Sequence, residues 1–162
     1  MIRFLKMFHY LALCLVIIPM MALAGQYKVI RVIDADTILI SYKGKYEKVG
    51  LLCVNPPKSE HPDKKQNIPI AEVAFRYTQK KFTGKYVYLE FESWIRGRYG
   101  NLLAYVFVDG KNINLDLVRK GLSPYYIKYG RSQKYDAEFR AAQKQAQKEQ
   151  LNIWGIHESA KK

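Results

Sequence analysis

Polar and apolar residues alternate, or β-branched residues cluster, in five segments of the chain, which is the pattern of β-strands. The predicted strands cover residues 26–33, 37–42, 46–54, 86–91 and 102–108. Two short turn sequences, Asp34-Ala35-Asp36 and Lys43-Gly44-Lys45, separate the first three strands. Because such turns join neighbouring antiparallel strands, the first three strands are expected to form a meander.

Three other segments repeat their apolar residues every three to four positions, as amphipathic helices do. They cover residues 70–82, 114–120 and 136–150. Asn114 is expected to cap the second helix, and Gly84 and Gly121 to end the first two. The stretch 55–69 is rich in proline and charge and predicts a long loop. Together these elements predict an α+β protein, mainly β: a five-stranded OB-type β-barrel with three helices.

The first 24 residues have a different pattern from the rest of the chain. Arg3 and Lys6 precede an apolar run from Tyr10 to Met21, and Ala22-Leu23-Ala24 is a small-x-small cleavage signal. This pattern predicts a signal peptide at 1–24 and one folded domain at 25–162. The run is short against the ~20 residues of a membrane span, and an uncleaved anchor is the alternative. We therefore expect a secreted or periplasmic protein with no stable membrane association after cleavage.

Charge narrows the class of partner. The 162 residues include 27 Lys and Arg against 14 Asp and Glu, a formal charge of +13. Cleavage after residue 24 would remove two basic residues and no acidic one, which lowers +13 to +11. This excess of positive charge favours nucleic acid or another polyanion as the partner. We expect the protein to be a monomer. With 49% hydrophobic residues and two cysteines, the chain is neither disordered nor a disulfide scaffold.

Five short motifs follow one another along the predicted domain. They are DADT (34–37), LLCVNPPK (51–58), YGNLLAYV (99–106), NLDLVRKGL (114–122) and LNIW (151–154). In this order they resemble the thermonuclease, or staphylococcal nuclease, family over residues 26–154. The family cleaves DNA and RNA with one calcium ion. The resemblance therefore implies a site with two aspartates, a threonine carbonyl, a glutamate and two arginines.

The chain departs from the family at the metal and base positions. Asp36 keeps the first aspartate, whereas Asn55 and Pro56 stand for the second aspartate and the threonine. Lys58 stands for the glutamate that orients or activates the attacking water, and an ammonium cannot accept a proton from that water. We expect Lys58 to lie near Asp36, in the space a calcium ion would take. No cofactor is then needed; calcium is required only if the site is rearranged and active.

The two arginines that bind the phosphate in the family are also replaced, by Gly50 and Asn101. Losing one group that stabilises transition-state charge typically costs ~10²–10³ in rate. Little catalysis is therefore expected, although neighbouring charged residues offer a way to rebuild the site. Those neighbours are Arg96, Arg98, Glu47, Glu60 and Asp63.

Aromatic residues interleave with basic ones in two places, at 98–99 and at 125–131. OB barrels bind nucleic-acid strands with a basic groove and stacking aromatic rings. The candidate binding residues are Arg98, Tyr99, Tyr126 and Tyr129. Two functions stay open. One is an exported, catalytically impaired module that binds nucleic acid, another polyanion or a protein. The other is a calcium-dependent nuclease with a rearranged site.

Overall fold

The computed structural model describes residues 25–58, 64–93 and 95–155, and only the backbone of residues 64–69. The predicted signal peptide and residues 156–162 lie outside this part of the chain. The strands are β1 (Gln26–Asp34), β2 (Thr37–Tyr42), β3 (Lys45–Leu51), β4 (Tyr86–Glu90), β5 (Leu102–Val108) and β6 (Lys111–Asn112). The helices are α1 (Lys64–Phe82), α2 (Ile113–Arg119) and α3 (Asp136–Lys148), followed by a 3₁₀ turn at Asn152–Trp154.

Strands β1 to β5 form a closed barrel. The sheet order is β3-β2-β1-β4-β5-β6, and a parallel pairing between β3 and β5 closes it. Strand β1 pairs with two neighbours: its first residues pair with β4 and the remainder pairs with β2. The two-residue strand β6 extends the sheet beyond β5. The prediction of a five-stranded OB-type barrel with three helices is confirmed.

The core follows from the alternation of side chains along the strands. Ile38 and Ile40 of β2, and Val49 of β3, point inward and are fully buried. Phe82 at the end of α1 and Phe139 of α3 cover the barrel and are also fully buried. Among the helices of the described residues, none combines the length and the hydropathy that crossing a membrane requires.

Strand β3 is shorter than predicted, because its pattern of apolar residues continues beyond the backbone pairing. It ends at Leu51 instead of residue 54. Cys53 has φ of +62°, a left-handed conformation that a strand cannot contain. The chain turns there and forms one further bridge, between Val54 and Tyr125. This turn brings the segment after Tyr125 beside the end of β3.

Two helix starts also differ from the prediction. Helix α1 begins at Lys64, so the loop predicted to reach residue 69 is shorter. Pro69 is the sixth residue of this helix, where a proline is unfavourable because it has no N–H for the carbonyl four residues earlier, and the helix nevertheless continues through it. Helix α2 is capped by Asn112, which accepts a hydrogen bond from the Leu115 N–H, and not by Asn114. Asn114 is fully buried, and its amide bonds the Ala104 carbonyl and the Val106 N–H instead.

Candidate active site

One cleft of about 760 Å³ gathers the predicted site. It lies between the ends of β2 and β3, the turn at 96–101 and the segment at 126–133. All of the predicted site residues except Lys58 line it. They are Asp36, Gly50, Asn55, Arg98, Tyr99, Asn101, Tyr126 and Tyr129. Lys58 reaches the same place from the side, because its ammonium contacts Asp36.

The Lys58 ammonium bridges two carboxylates at the edge of the cleft. Its Nζ donates to Asp34 Oδ2 at 2.6 Å and to Asp36 Oδ1 at 2.8 Å. Burial alone would lower the pKa of Lys58, but attraction by Asp36 and the hydrogen bonds to both aspartates raise that pKa above its usual value. The expected proximity to Asp36 is therefore confirmed. The second partner, Asp34, was not expected.

The turn that carries both aspartates is fixed from two sides. Fully buried Thr78 of α1 donates its hydroxyl to the Ala35 carbonyl at 2.8 Å. The Leu51 N–H at the end of β3 donates to the Asp36 carbonyl at 2.8 Å. Because the Ala35 and Asp36 carbonyls are both held in this way, the carboxylates of the turn stay on the side that Lys58 reaches.

Asn55 lines the same cleft and is exposed. Its backbone N–H donates to the hydroxyl of buried Ser123 at 2.7 Å. The nearby Tyr126 N–H donates to the Cys53 carbonyl at 2.9 Å. These bonds hold the end of β3 against the segment that carries the tyrosines, so Asn55 and the tyrosines face the same cleft.

The two positions that would hold arginines in the family lie side by side. A Cβ atom at Gly50 would lie 3.0 Å from Asn101 Nδ2, and one at Gly97 would lie 3.0 Å from Asn101 Oδ1. The Asn101 amide therefore fills the gap between two glycines. Neither Gly50 nor Asn101 supplies a positive charge at this wall of the cleft.

Of the neighbours that might rebuild the site, Arg96 and Glu47 pair with each other, Arg98 lines the cleft, and two lie outside the described residues. Arg96 donates to Glu47 Oε1 at 2.9 Å and to Glu47 Oε2 at 3.1 Å. The hydrogen bond from Arg96 holds the pKa of Glu47 below its usual value. Arg98 is exposed and lines the cleft. Glu60 and Asp63 lie outside the described residues.

Exposed aromatic rings form the rim of the cleft. Tyr99 is 91% exposed and Tyr129 is 75% exposed. Tyr126 meets Tyr129 edge to face, with 6.0 Å between the ring centroids, and Lys128 Nζ lies 5.7 Å from the Tyr129 centroid. Tyr125, in contrast, is buried and stacks on Phe139 with centroids 4.9 Å apart.

Sequence reasoning missed one carboxylate in the cleft wall. Glu92 Oε1 accepts hydrogen bonds from Tyr105 Oη at 2.5 Å, the Gln133 N–H at 2.7 Å and Ser132 Oγ at 3.2 Å. It thus ties the far end of the 126–133 segment to the barrel. The available signal was an acidic residue soon after a strand of a basic chain. No motif distinguishes it.

Comparison of the sequence with known proteins finds clear relatives. The sequence profile described as "Staphylococcal nuclease homologue" matches residues 48–156. The thermonuclease of Staphylococcus intermedius is 38% identical over 128 residues, which cover 79% of this chain and 75% of that protein. Endonuclease YncB of Bacillus subtilis is 35% identical over 125 residues, which cover 76% of this chain and 59% of that protein.

Proposed function

The chain belongs to the staphylococcal nuclease family, and we propose that it is a catalytically impaired member that binds nucleic acid in the cleft without cleaving it. The observation that carries the proposal is the Lys58 ammonium, held between Asp34 and Asp36. A cation on the protein itself neutralises part of the charge of the carboxylates that would otherwise attract a metal ion.

The donor set does not fit the calcium ion that the family implies. Calcium takes six to eight oxygen ligands, and its affinity rises with their negative charge. Here Asp34 and Asp36 share their charge with Lys58, and Asn55 is neutral. Among the described residues, no three His, Cys, Asp or Glu side chains converge in a way that would hold a metal ion. We therefore derive no chemical step through calcium.

The residues at the family's base and arginine positions also lack the roles that hydrolysis needs. An attacking water requires an acceptor for its proton, whereas a protonated Lys58 only donates. Charge that develops on the phosphate requires positive groups aimed at it, and loss of one such group typically costs ~10²–10³ in rate. Gly50 and Asn101 supply none. These absences support strongly reduced catalysis.

Binding needs less than catalysis does. A basic chain, a cleft of the OB type and exposed aromatic rings supply charge attraction and stacking surfaces for a strand of nucleic acid. Tyr99 and Tyr129 offer the most exposed rings at the cleft. The charge and cleavage pattern of residues 1–24 supports the further proposal that binding occurs after export.

A second candidate function is an active calcium-dependent nuclease with a rearranged site. The names of the relatives, a thermonuclease and an endonuclease, favour it. It would require the Lys58 ion pairs to open and further carboxylates to approach Asp36. Cleavage measured together with binding separates the two candidates.

The test is binding of a short fluorescent single-stranded oligonucleotide at low salt, with chelator and then with calcium. We expect binding in both conditions, with the oligonucleotide recovered intact. Tyr129→Ala should weaken binding about 5–150-fold, since stacking contributes ~1–3 kcal/mol per base. Tyr46→Ala is the matched control, because Tyr46 is 72% exposed and lies on β3 away from the cleft. Binding that requires calcium, or an equal effect of both substitutions, would contradict the proposal.

A further inference from the structure

Two lysines from different helices meet at one tyrosine ring on another face of the molecule. Lys81, in the last turn of α1, places its Nζ 5.5 Å from the centroid of Tyr77. Lys120, which follows α2 directly, places its Nζ 5.6 Å from the same centroid. The ring thus brings two positive charges together, and ammonium groups are attracted to aromatic faces.

The carboxylate beside this ring is already engaged. Tyr77 Oη donates a hydrogen bond to Asp116, and Asp116 also lies 3.7 Å from Arg119. Among the described residues, no ion pair engages Lys81 or Lys120, whose ammonium groups contact the ring. We name this locally positive group the Tyr77 basic cluster. It contains three positive side chains and one negative one, namely Lys81, Arg119, Lys120 and Asp116.

The Tyr77 basic cluster is separate from the cleft. None of its side chains lines the cleft. Thr78, the next residue on α1, points instead to the turn that carries Asp34 and Asp36, because its hydroxyl bonds the Ala35 carbonyl. Since successive residues of a helix point about 100° apart, Tyr77 and Lys81 occupy a neighbouring face of α1.

We propose that the Tyr77 basic cluster is a second contact for the phosphates of a nucleic acid longer than the cleft. The inference rests on the proposed function. Both ammonium groups belong to a locally positive surface, which attracts an anion. Lysine ammonium groups serve as point-charge ligands for phosphate. The two ammonium groups lie no further apart than the sum of their distances to the ring centroid. That length corresponds to about three nucleotides along the axis of a duplex, at ~3.4 Å each.

The test compares two ligands across a salt series. One is a duplex of about 40 base pairs, and the other a single strand of about six nucleotides, within the length that one OB fold covers. The variant carries Lys81→Gln and Lys120→Gln, which keep the length of both side chains. Lys43→Gln is the matched control, because Lys43 also lies over a tyrosine ring, that of Tyr42, at 5.4 Å.

The double variant should reduce the slope of log affinity against log salt for the duplex by up to about 1.8, since each phosphate contact contributes about 0.9. Its binding of the short strand should stay unchanged, and Lys43→Gln should change neither ligand. An unchanged duplex slope overturns this proposal and leaves binding in the cleft intact. Equal losses for both ligands also overturn it, since they indicate an effect on the fold.

Two further outcomes are decisive. If the unmodified protein binds neither ligand, the proposed function fails and the cluster proposal fails with it. If the double variant loses binding to vesicles of anionic phospholipid while it keeps the duplex slope, the cluster serves a lipid surface, which contradicts the proposal.

Discussion

Restoring the family's carboxylates should rebuild a calcium site, and the effect can be followed as thermal stability. The perturbation is the double substitution Asn55→Asp with Lys58→Glu. In the unmodified protein one ammonium faces Asp34 and Asp36. The variant has carboxylates at positions 34, 36, 55 and 58, and no positive group from position 58 remains among them.

Without calcium the variant should be less stable. The Lys58 and Asp34 side chains are 41% and 40% exposed, and that of Asp36 is 17% exposed, so solvent screens both ion pairs. Exposed pairs contribute ~0–1 kcal/mol each, so losing two costs about 1 kcal/mol. Repulsion among the four carboxylates adds a similar amount. A total loss of about 2 kcal/mol lowers the Tm of a domain of this size by about 8 °C.

Calcium should then reverse the loss. A ligand that binds only the native state, at about 100 times its Kd, stabilises that state by about 2.7 kcal/mol. This corresponds to a rise in Tm of about 10 °C. The unmodified protein should show no rise, because Lys58 already satisfies Asp34 and Asp36.

The assay is thermal unfolding of each protein with chelator and across a calcium titration. Lys58→Glu alone should respond weakly, since it lacks the second ligating carboxylate. Lys43→Glu is the charge-matched control for Lys58→Glu, because it makes the same change of charge on the exposed turn between β2 and β3. The reasoning is refuted if calcium stabilises the unmodified protein as strongly as the double variant, or if it stabilises neither.

Three further predictions concern packing and titration. Gly50→Ala should lower the free energy of unfolding by about 1–2 kcal/mol, because its Cβ would lie 3.0 Å from Asn101 Nδ2. Combining it with Asn101→Ala should recover part of that loss in denaturant unfolding. Additive losses would contradict the contact. Asn114→Ala should cost about 3–4 kcal/mol in the same assay, since the buried amide bonds three backbone groups, and a loss below about 1 kcal/mol would show that these bonds are not needed. Burial, followed by a hydrogen bond to a carboxylate, raises the pKa of Tyr125 from 10.0 to about 12. The contribution of Tyr125 to stability is therefore complete below pH 10.0 and lost as the pH rises to about 12. Tyr125→Phe should flatten the fall in unfolding free energy across that window. An unchanged fall would argue against this assignment.

The sequence predicted the barrel because the apolar alternation and the motif order are local signals. Strand β5 has the predicted bounds, and the strand order brought Asp36, Asn55 and Asn101 to one cleft. Contacts between distant parts of the chain were not predictable in the same way. Lys58 binds Asp34 as well as Asp36 because α1 and β3 fix the turn between β1 and β2 that carries both aspartates.

The helix cap shows the same limit on a smaller scale. Asn112 and Asn114 have the same capping chemistry, and only two positions separate them. The short strand β6 ends at Asn112, so α2 begins one residue earlier than predicted. Asn114 is then carried into the barrel, where its amide bonds the backbone of β5. Tertiary packing decided between two residues that local propensity could not separate.

The most direct test of the central claim is degradation of plasmid DNA and of RNA by the purified protein, with calcium, magnesium or manganese and with chelator. A calcium-dependent nuclease serves as positive control, and Asp36→Ala as the variant that removes the retained carboxylate. The account predicts intact plasmid and RNA under every condition, with no difference between the unmodified protein and Asp36→Ala. Calcium-dependent cleavage by the unmodified protein that Asp36→Ala abolishes would contradict it.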